Sequence, residues 1–271
     1  MYKADEKENF ISDALWILIS EVLEIGFEIY ENDTESTIDD GVRLKNRRRP
    51  PTRYLEERFD KWKERTMESG YTQKDDEDRF IEIEEELLGC YTPMSSPGVI
   101  ELFLNQMKNF LVQIVGDMVS AGYHVSYSDF VRMAEICVRK TFYHEYFHHY
   151  SDIQKRLFSF VKTKEIEEAL AVAWSRMKVD EFCTKDLKLH SVTSLFDAFK
   201  RKLYNYCIPG YKDWKNYSIS ATFYEGICRY MMPSKSYDLL TKGVNLGLAL
   251  LSELDMTYQT SEAVQLKMHL R

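Results

Sequence analysis

Two histidines four residues apart bracket an acid in His144-Glu145-Tyr146-Phe147-His148, and Glu168 follows twenty residues after the second histidine. On a helix, residues four apart share a face, so both imidazoles reach one metal ion while Glu145, one step round, faces a water held beside it. Two neutral imidazoles and a carboxylate leave a zinc ion net positive with its fourth tetrahedral position open. Such an ion polarises a carbonyl and brings the pKa of water towards neutrality. Glu145 then has the place of a base that takes the proton of the attacking water and hands it to a leaving amine. The third ligand must come from another segment, and Glu168, in Glu167-Glu168-Ala169-Leu170-Ala171, is the best-placed candidate. Asp152 is the alternative, although positions i, i+4 and i+8 drift round a helix and stretch away from His144. Asp152 is equally a candidate for the hydrogen bond that orients a histidine.

The set His144, Glu145, His148 and Glu168 resembles the metal site of the gluzincin branch of the zincin metallopeptidases, over residues 144–171. In that branch the third ligand is a glutamate on the following helix, commonly trailed by a small residue. Glu167 and Glu168 both stand at the family's distance from His148. Glu168 is preferred because Ala169 follows it and because Glu167 points about 100° away on the helix. The resemblance implies zinc-dependent hydrolysis of peptide bonds, a peptide or protein as substrate, and a small sheet packed on the two metal-bearing helices. It also implies an edge strand that receives extended peptide by β-augmentation, for which residues 98–103 are the candidate. The chain departs from the pattern in two places. It has no GxMxN-type element to hold a substrate amino terminus, and Val172 stands where an acid is expected four residues after Glu168. A donor to the oxyanion is sought in the C-terminal half, where Tyr211, Tyr224 and His190 are candidates. Tyr211 is favoured because the Pro209-Gly210 turn can present its phenol to a cleft.

The elements that must position these groups are mainly helical. Ile11, Leu15, Leu18, Ile19, Leu23 and Phe27 recur at helical spacing and predict an amphipathic helix over 10–30. Residues 54–68 predict a second, charged helix, and 105–119 a third. Ser126-Tyr127-Ser128-Asp129 is a capping-box pattern opening the helix that carries the histidines. Its stripe of Phe130, Met133, Ala134, Cys137, Val138 and Thr141 leads at three- and four-residue steps into His144 and His148, so the metal face continues the buried face. Residues 164–180 predict the helix of Glu168, and two or three more fill 191–255, with turns at Pro209-Gly210 and Pro233-Ser234. Strand character appears at Ile81 and Ile83, at 99–103, and at the C-terminus, where Val264, Leu266, Met268 and Leu270 alternate with polar residues. The expected fold is mainly α (α+β), a zincin-like helical domain with a small antiparallel or mixed sheet. Asn32 to Pro51 has the makeup of a mobile loop. It suggests an N-terminal helix-and-loop segment, 1–51, ahead of a metallopeptidase domain, 52–271.

At 271 residues the chain can bury a sizeable core. A formal charge of −8 argues against nucleic acid as partner, since phosphate binding draws on clustered cations. Arg47-Arg48-Arg49 is balanced by Asp39, Asp40, Glu56 and Glu57 and reads as a solvated linker. The five cysteines form no CxxC pair and read as buried, reduced side chains. No secretory signal is evident, and the early apolar run Ala14–Ile19 is too short to span a bilayer, so a cytoplasmic protein without membrane attachment is expected. The second functional class left open is a non-catalytic zincin-like protein serving as an interaction or regulatory module.

Overall fold

The structure is a computed structural model that describes residues 2–25, 51–68, 88–93, 98–158, 163–185, 194–231 and 265–269. Its longest helix, here α4 (Tyr127–Phe158), begins where the capping pattern places it. Ser126 Oγ accepts from the Asp129 amide at 3.1 Å, and Asp129 Oδ2 takes both the Ser126 amide at 3.2 Å and the Ser126 hydroxyl at 2.6 Å. Two amide donors that the helix start leaves without intrahelical partners are thereby satisfied. The stripe Phe130, Met133, Ala134, Cys137, Val138 and Thr141 is buried as the periodicity requires.

Around α4 pack α1 (Tyr2–Val22), α2 (Thr52–Glu68), α3 (Leu104–Ser120), α5 (Lys164–Lys185), α6 (Ser194–Leu203) and α7 (Ser220–Met231), with a 3-10 helix at Tyr211–Tyr217. In α1 the buried set is Phe10, Ile11, Ala14, Ile17, Leu18, Ile19 and Val22. This helix ends well before the expected residue 30 because Glu24 turns left-handed, with φ 53°. The Ile25 amide then bonds back to the Ser20 carbonyl at 2.9 Å. Two cations of α2 hold that end: Arg58 donates to the Glu24 carbonyl and Arg65 pairs with its carboxylate at 3.0 Å, the sign a helix C-terminus favours. Leu55, Phe59 and Trp62 of α2 are buried, and Phe59 stacks on Phe130 of α4 with centroids 4.9 Å apart.

A three-stranded mixed sheet covers one side of α4 in the order β1 (Gly89–Thr92), β2 (Val99–Phe103), β3 (Gln265–His269). β1 pairs antiparallel with β2, Gly89 opposite Leu102, and β3 pairs parallel with β2, Val99 opposite Gln265. The C-terminal alternation predicts β3 correctly: Leu266 and Met268 turn to the core while Lys267 is exposed. It also overturns one expectation. Residues 98–103 are not an edge strand, because β3 occupies the side of β2 that a peptide would need. The strand lying against α4 beside Glu145 is β1: a Cβ on Gly89 would stand 2.9 Å from Thr141 and 3.0 Å from the Glu145 side chain. The expected strand character at 81–83 and the turn at Pro233-Ser234 lie outside the described residues. Among the described residues no helix is long and apolar enough to cross a membrane.

Candidate metal centre

α4 and α5 lie side by side, and their facing surfaces bring three ligand atoms together. The Nε2 atoms of His144 and His148 are 3.2 Å apart, and Glu168 Oε2 lies 3.2 Å from the first and 3.3 Å from the second. A tetrahedron with arms of about 2.0–2.1 Å, the usual zinc–nitrogen and zinc–oxygen range, has edges of roughly 3.3 Å. The three donors therefore already have the mutual spacing of one coordination shell, and this buried His-His-Glu group could hold a metal ion. Glu168 Oε2 is buried between the two imidazoles without a well-aligned hydrogen bond of its own, which suits an atom that could serve as a ligand to a cation.

Electrostatics point the same way. Glu145, Glu167 and Glu168 are all buried within this cluster, and buried carboxylates need compensating positive charge. Burial pushes the His148 pKa down, but the hydrogen bond to Glu167 and the Glu168 carboxylate beside the ring outweigh it and raise the ring to about 10. Burial pushes Glu168 up, and the two imidazoles overcome that to hold it well below the carboxylate range. A divalent cation supplies the same compensation without protonating the ligands.

Above the three donors sits Tyr211, the first residue of the 3-10 helix. Its ring stacks on His144 with centroids 5.5 Å apart and planes 18° from parallel. Burial, and after it the neighbouring Glu168 carboxylate, push its pKa upward and keep the phenol protonated. Gly210 brings it there. Its backbone, at φ 87° and ψ −67°, turns the chain so closely over α5 that a Cβ would lie 3.0 Å from the Glu165 Cα. The start of the 3-10 helix is fixed by Asp213, which accepts from the Gly210 amide at 3.1 Å.

His144, Glu145, His148, Glu168 and Tyr211 are thus gathered in one place. Asp152 is not among them: it accepts from Tyr91 of β1 at 3.2 Å, tying the sheet to α4, because at i+8 it has rotated off the metal face. Tyr224 packs edge-on against Phe223, and His190 lies outside the described residues. His149 turns away to face Tyr91, while Tyr146, Phe147 and Tyr150 are buried packing residues. Among the cysteines Cys137, Cys183 and Cys228 are buried as expected, but Cys207 is exposed and Cys90 partly so.

The residue that sequence reasoning set aside is Glu167. Its Oε1 lies 2.9 Å from His148 Nδ1, on the far side of the ring from Glu168. The adjacent Glu167-Glu168 pair was a signal for it; nothing in the sequence marks Tyr230, whose hydroxyl donates to the second Glu167 oxygen at 2.5 Å. No known family model, curated protein or solved structure matches this chain.

Proposed function

We propose that the protein is a zinc-dependent hydrolase of peptide bonds, a zincin-like metallopeptidase. The observation carrying this reading is the convergence of His144, His148 and Glu168 on one point with Glu145 buried on the same helix turn. Zinc suits a donor set of two imidazoles and one carboxylate, and when bound it would polarise a substrate carbonyl and acidify water. Glu145 takes the proton of the attacking water and delivers it to the leaving amine. A structural site needs no such base, which is why Glu145 favours catalysis over a purely structural role. Tyr211 donates a hydrogen bond to the oxyanion, a task for which a phenol held protonated is suited. β1, whose outer edge pairs with no strand among the described residues, lies beside Glu145 and offers backbone groups to an extended peptide.

Metal analysis of the purified chain together with a peptide-library cleavage assay tests the proposal. Wild type should carry about one zinc ion and cleave. Glu145→Gln should keep zinc and the melting temperature while losing at least about 10²-fold in kcat, the usual range for removing a general base. His144→Ala and Glu168→Ala should lose the metal. A zinc-loaded Glu145→Gln protein of undiminished activity contradicts the assignment.

A further inference from the structure

Resting on the metal-site reading above, we propose that Glu167, Tyr230 and Ser151 form a positioning relay that fixes which nitrogen of His148 faces the metal, and so sets metal affinity. His148 Nδ1 lies 2.9 Å from Glu167 Oε1. An ionised carboxylate only accepts, so the proton of this bond is on Nδ1, and a neutral imidazole then carries its lone pair on Nε2. Nε2 is the atom that faces His144 and Glu168. Had Glu167 been apolar, either tautomer could form, and the ring could rotate about its Cβ–Cγ bond.

Glu167 is itself held. Tyr230 of α7 donates its one proton to Glu167 Oε2, so the Ser151 hydroxyl, 3.2 Å away, must be the donor to the Tyr230 oxygen. Ser151 stands three residues after His148 on α4. The relay therefore closes on the helix it starts from: His148 to Glu167 on α5, to Tyr230 on α7, to Ser151, and back along one turn of α4. Glu167 and Tyr230 are each 6% exposed and Ser151 0%, and hydrogen bonds withdrawn from water are strong and directional. Outer hydrogen bonds to a ligating histidine raise its basicity and hold its orientation, and losing them typically lowers metal affinity about 10- to 100-fold.

The test measures zinc affinity of the full chain by competition with a chromophoric chelator, the visible spectrum of the cobalt-substituted protein, and the melting temperature of the metal-free chain. Glu167→Ala should weaken zinc binding about 10- to 100-fold, and Glu167→Gln, which keeps an accepting oxygen without the charge, should weaken it less. Tyr230→Phe removes one oxygen from a packed ring and should weaken it several-fold, with almost no further loss when combined with Glu167→Gln. Cobalt band positions should move in all three variants. A purely structural relay would lower the metal-free melting temperature and leave zinc affinity and the cobalt spectrum unchanged, which overturns the proposal. If Glu167→Ala does not fold, Tyr230→Phe decides alone. Wild type that binds zinc as tightly as Tyr230→Phe sinks the relay and spares the metal site; wild type that binds no zinc sinks both.

Discussion

Replacing Gly210 by alanine should unseat Tyr211, and its cost divides into two parts. The backbone at φ 87° and ψ −67° is close to the classic γ-turn, strained for any residue with a Cβ, at about 1–3 kcal/mol. The added methyl would also lie 3.0 Å from the Glu165 Cα, 3.1 Å from its carbonyl oxygen and 3.4 Å from the Glu168 Cβ. Those are atoms of a packed helix that cannot swing aside, and overpacking of this kind costs a further ~1–3 kcal/mol. Gly122 provides the control. It too has positive φ, 86°, where α3 ends in a Schellman turn, Tyr123 bonding back to Met118 and Gly122 to Val119. A Cβ there meets nothing within 4 Å, so Gly122→Ala carries the backbone strain alone, about 1–2 kcal/mol. Urea unfolding of both variants should therefore place Gly210→Ala below Gly122→Ala by the contact cost, with m-values unchanged. Peptide cleavage should fall in Gly210→Ala, where the His144-stacked phenol is displaced, and persist in Gly122→Ala. If the two variants are equally stable, the close approach of the 3-10 helix to α5 has been misjudged.

Lys140 is buried on α4 with its Nζ 5.5 Å and 5.2 Å from the ring centroids of Phe110 and Tyr206, and burial, the largest influence, lowers its pKa from 10.5 to about 8. The folded chain binds that proton less well than the unfolded chain, so below about pH 8 the charge weakens the fold, and the penalty fades as pH rises towards 10.5. At about 1.4 kcal/mol per pH unit the shift corresponds to roughly 3 kcal/mol, which the two rings offset by about 1–2. Lys140→Met should accordingly stabilise the protein by about 1–3 kcal/mol near neutral pH, with the gain shrinking above pH 8; a gain constant from pH 7 to 10.5 refutes the assignment. Ser126→Ala removes the acceptor of the Asp129 amide and the donor to its carboxylate, and should lower stability by about 0.5–2 kcal/mol; an unchanged melting curve would mean that the capping box contributes nothing measurable.

What the sequence made legible followed from period and type. The capping box located the start of α4 to the residue, the three- and four-residue stripe oriented it, and alternation at the C-terminus found β3. Other features left no local trace. β1 is a four-residue strand, Gly89-Cys90-Tyr91-Thr92, too short and too mixed for a period to show. Its placement depends on pairing with β2 and on Gly89 fitting against Thr141 and Glu145. α1 ends early at the left-handed Glu24, which two arginines of α2, Arg58 and Arg65, contact from a distant part of the sequence, and propensity along α1 cannot register such contacts. The edge assignment of residues 98–103 failed for the same reason: whether a strand is central depends on a partner more than 160 residues away, as the Glu101–His269 contact shows.

The adjacent glutamates show how a correct geometric premise led to an incomplete result. Consecutive helix residues point about 100° apart, which, with Ala169 following Glu168, favours Glu168 over Glu167 as the ligand. The premise holds, but the imidazole of His148 has two nitrogens on opposite sides of its ring. Glu168 faces Nε2 while Glu167 faces Nδ1, so the divergence that seemed to exclude Glu167 is what lets consecutive side chains of α5 grip one ring of α4 from both sides. An acid four residues after Glu168, where Val172 stands, would lie one turn further along α5. Here Glu167, the residue before Glu168, meets the Nδ1 side of His148, and Tyr230 of α7 donates to it, so the cluster draws on a helix that the His144–Glu168 motif does not include.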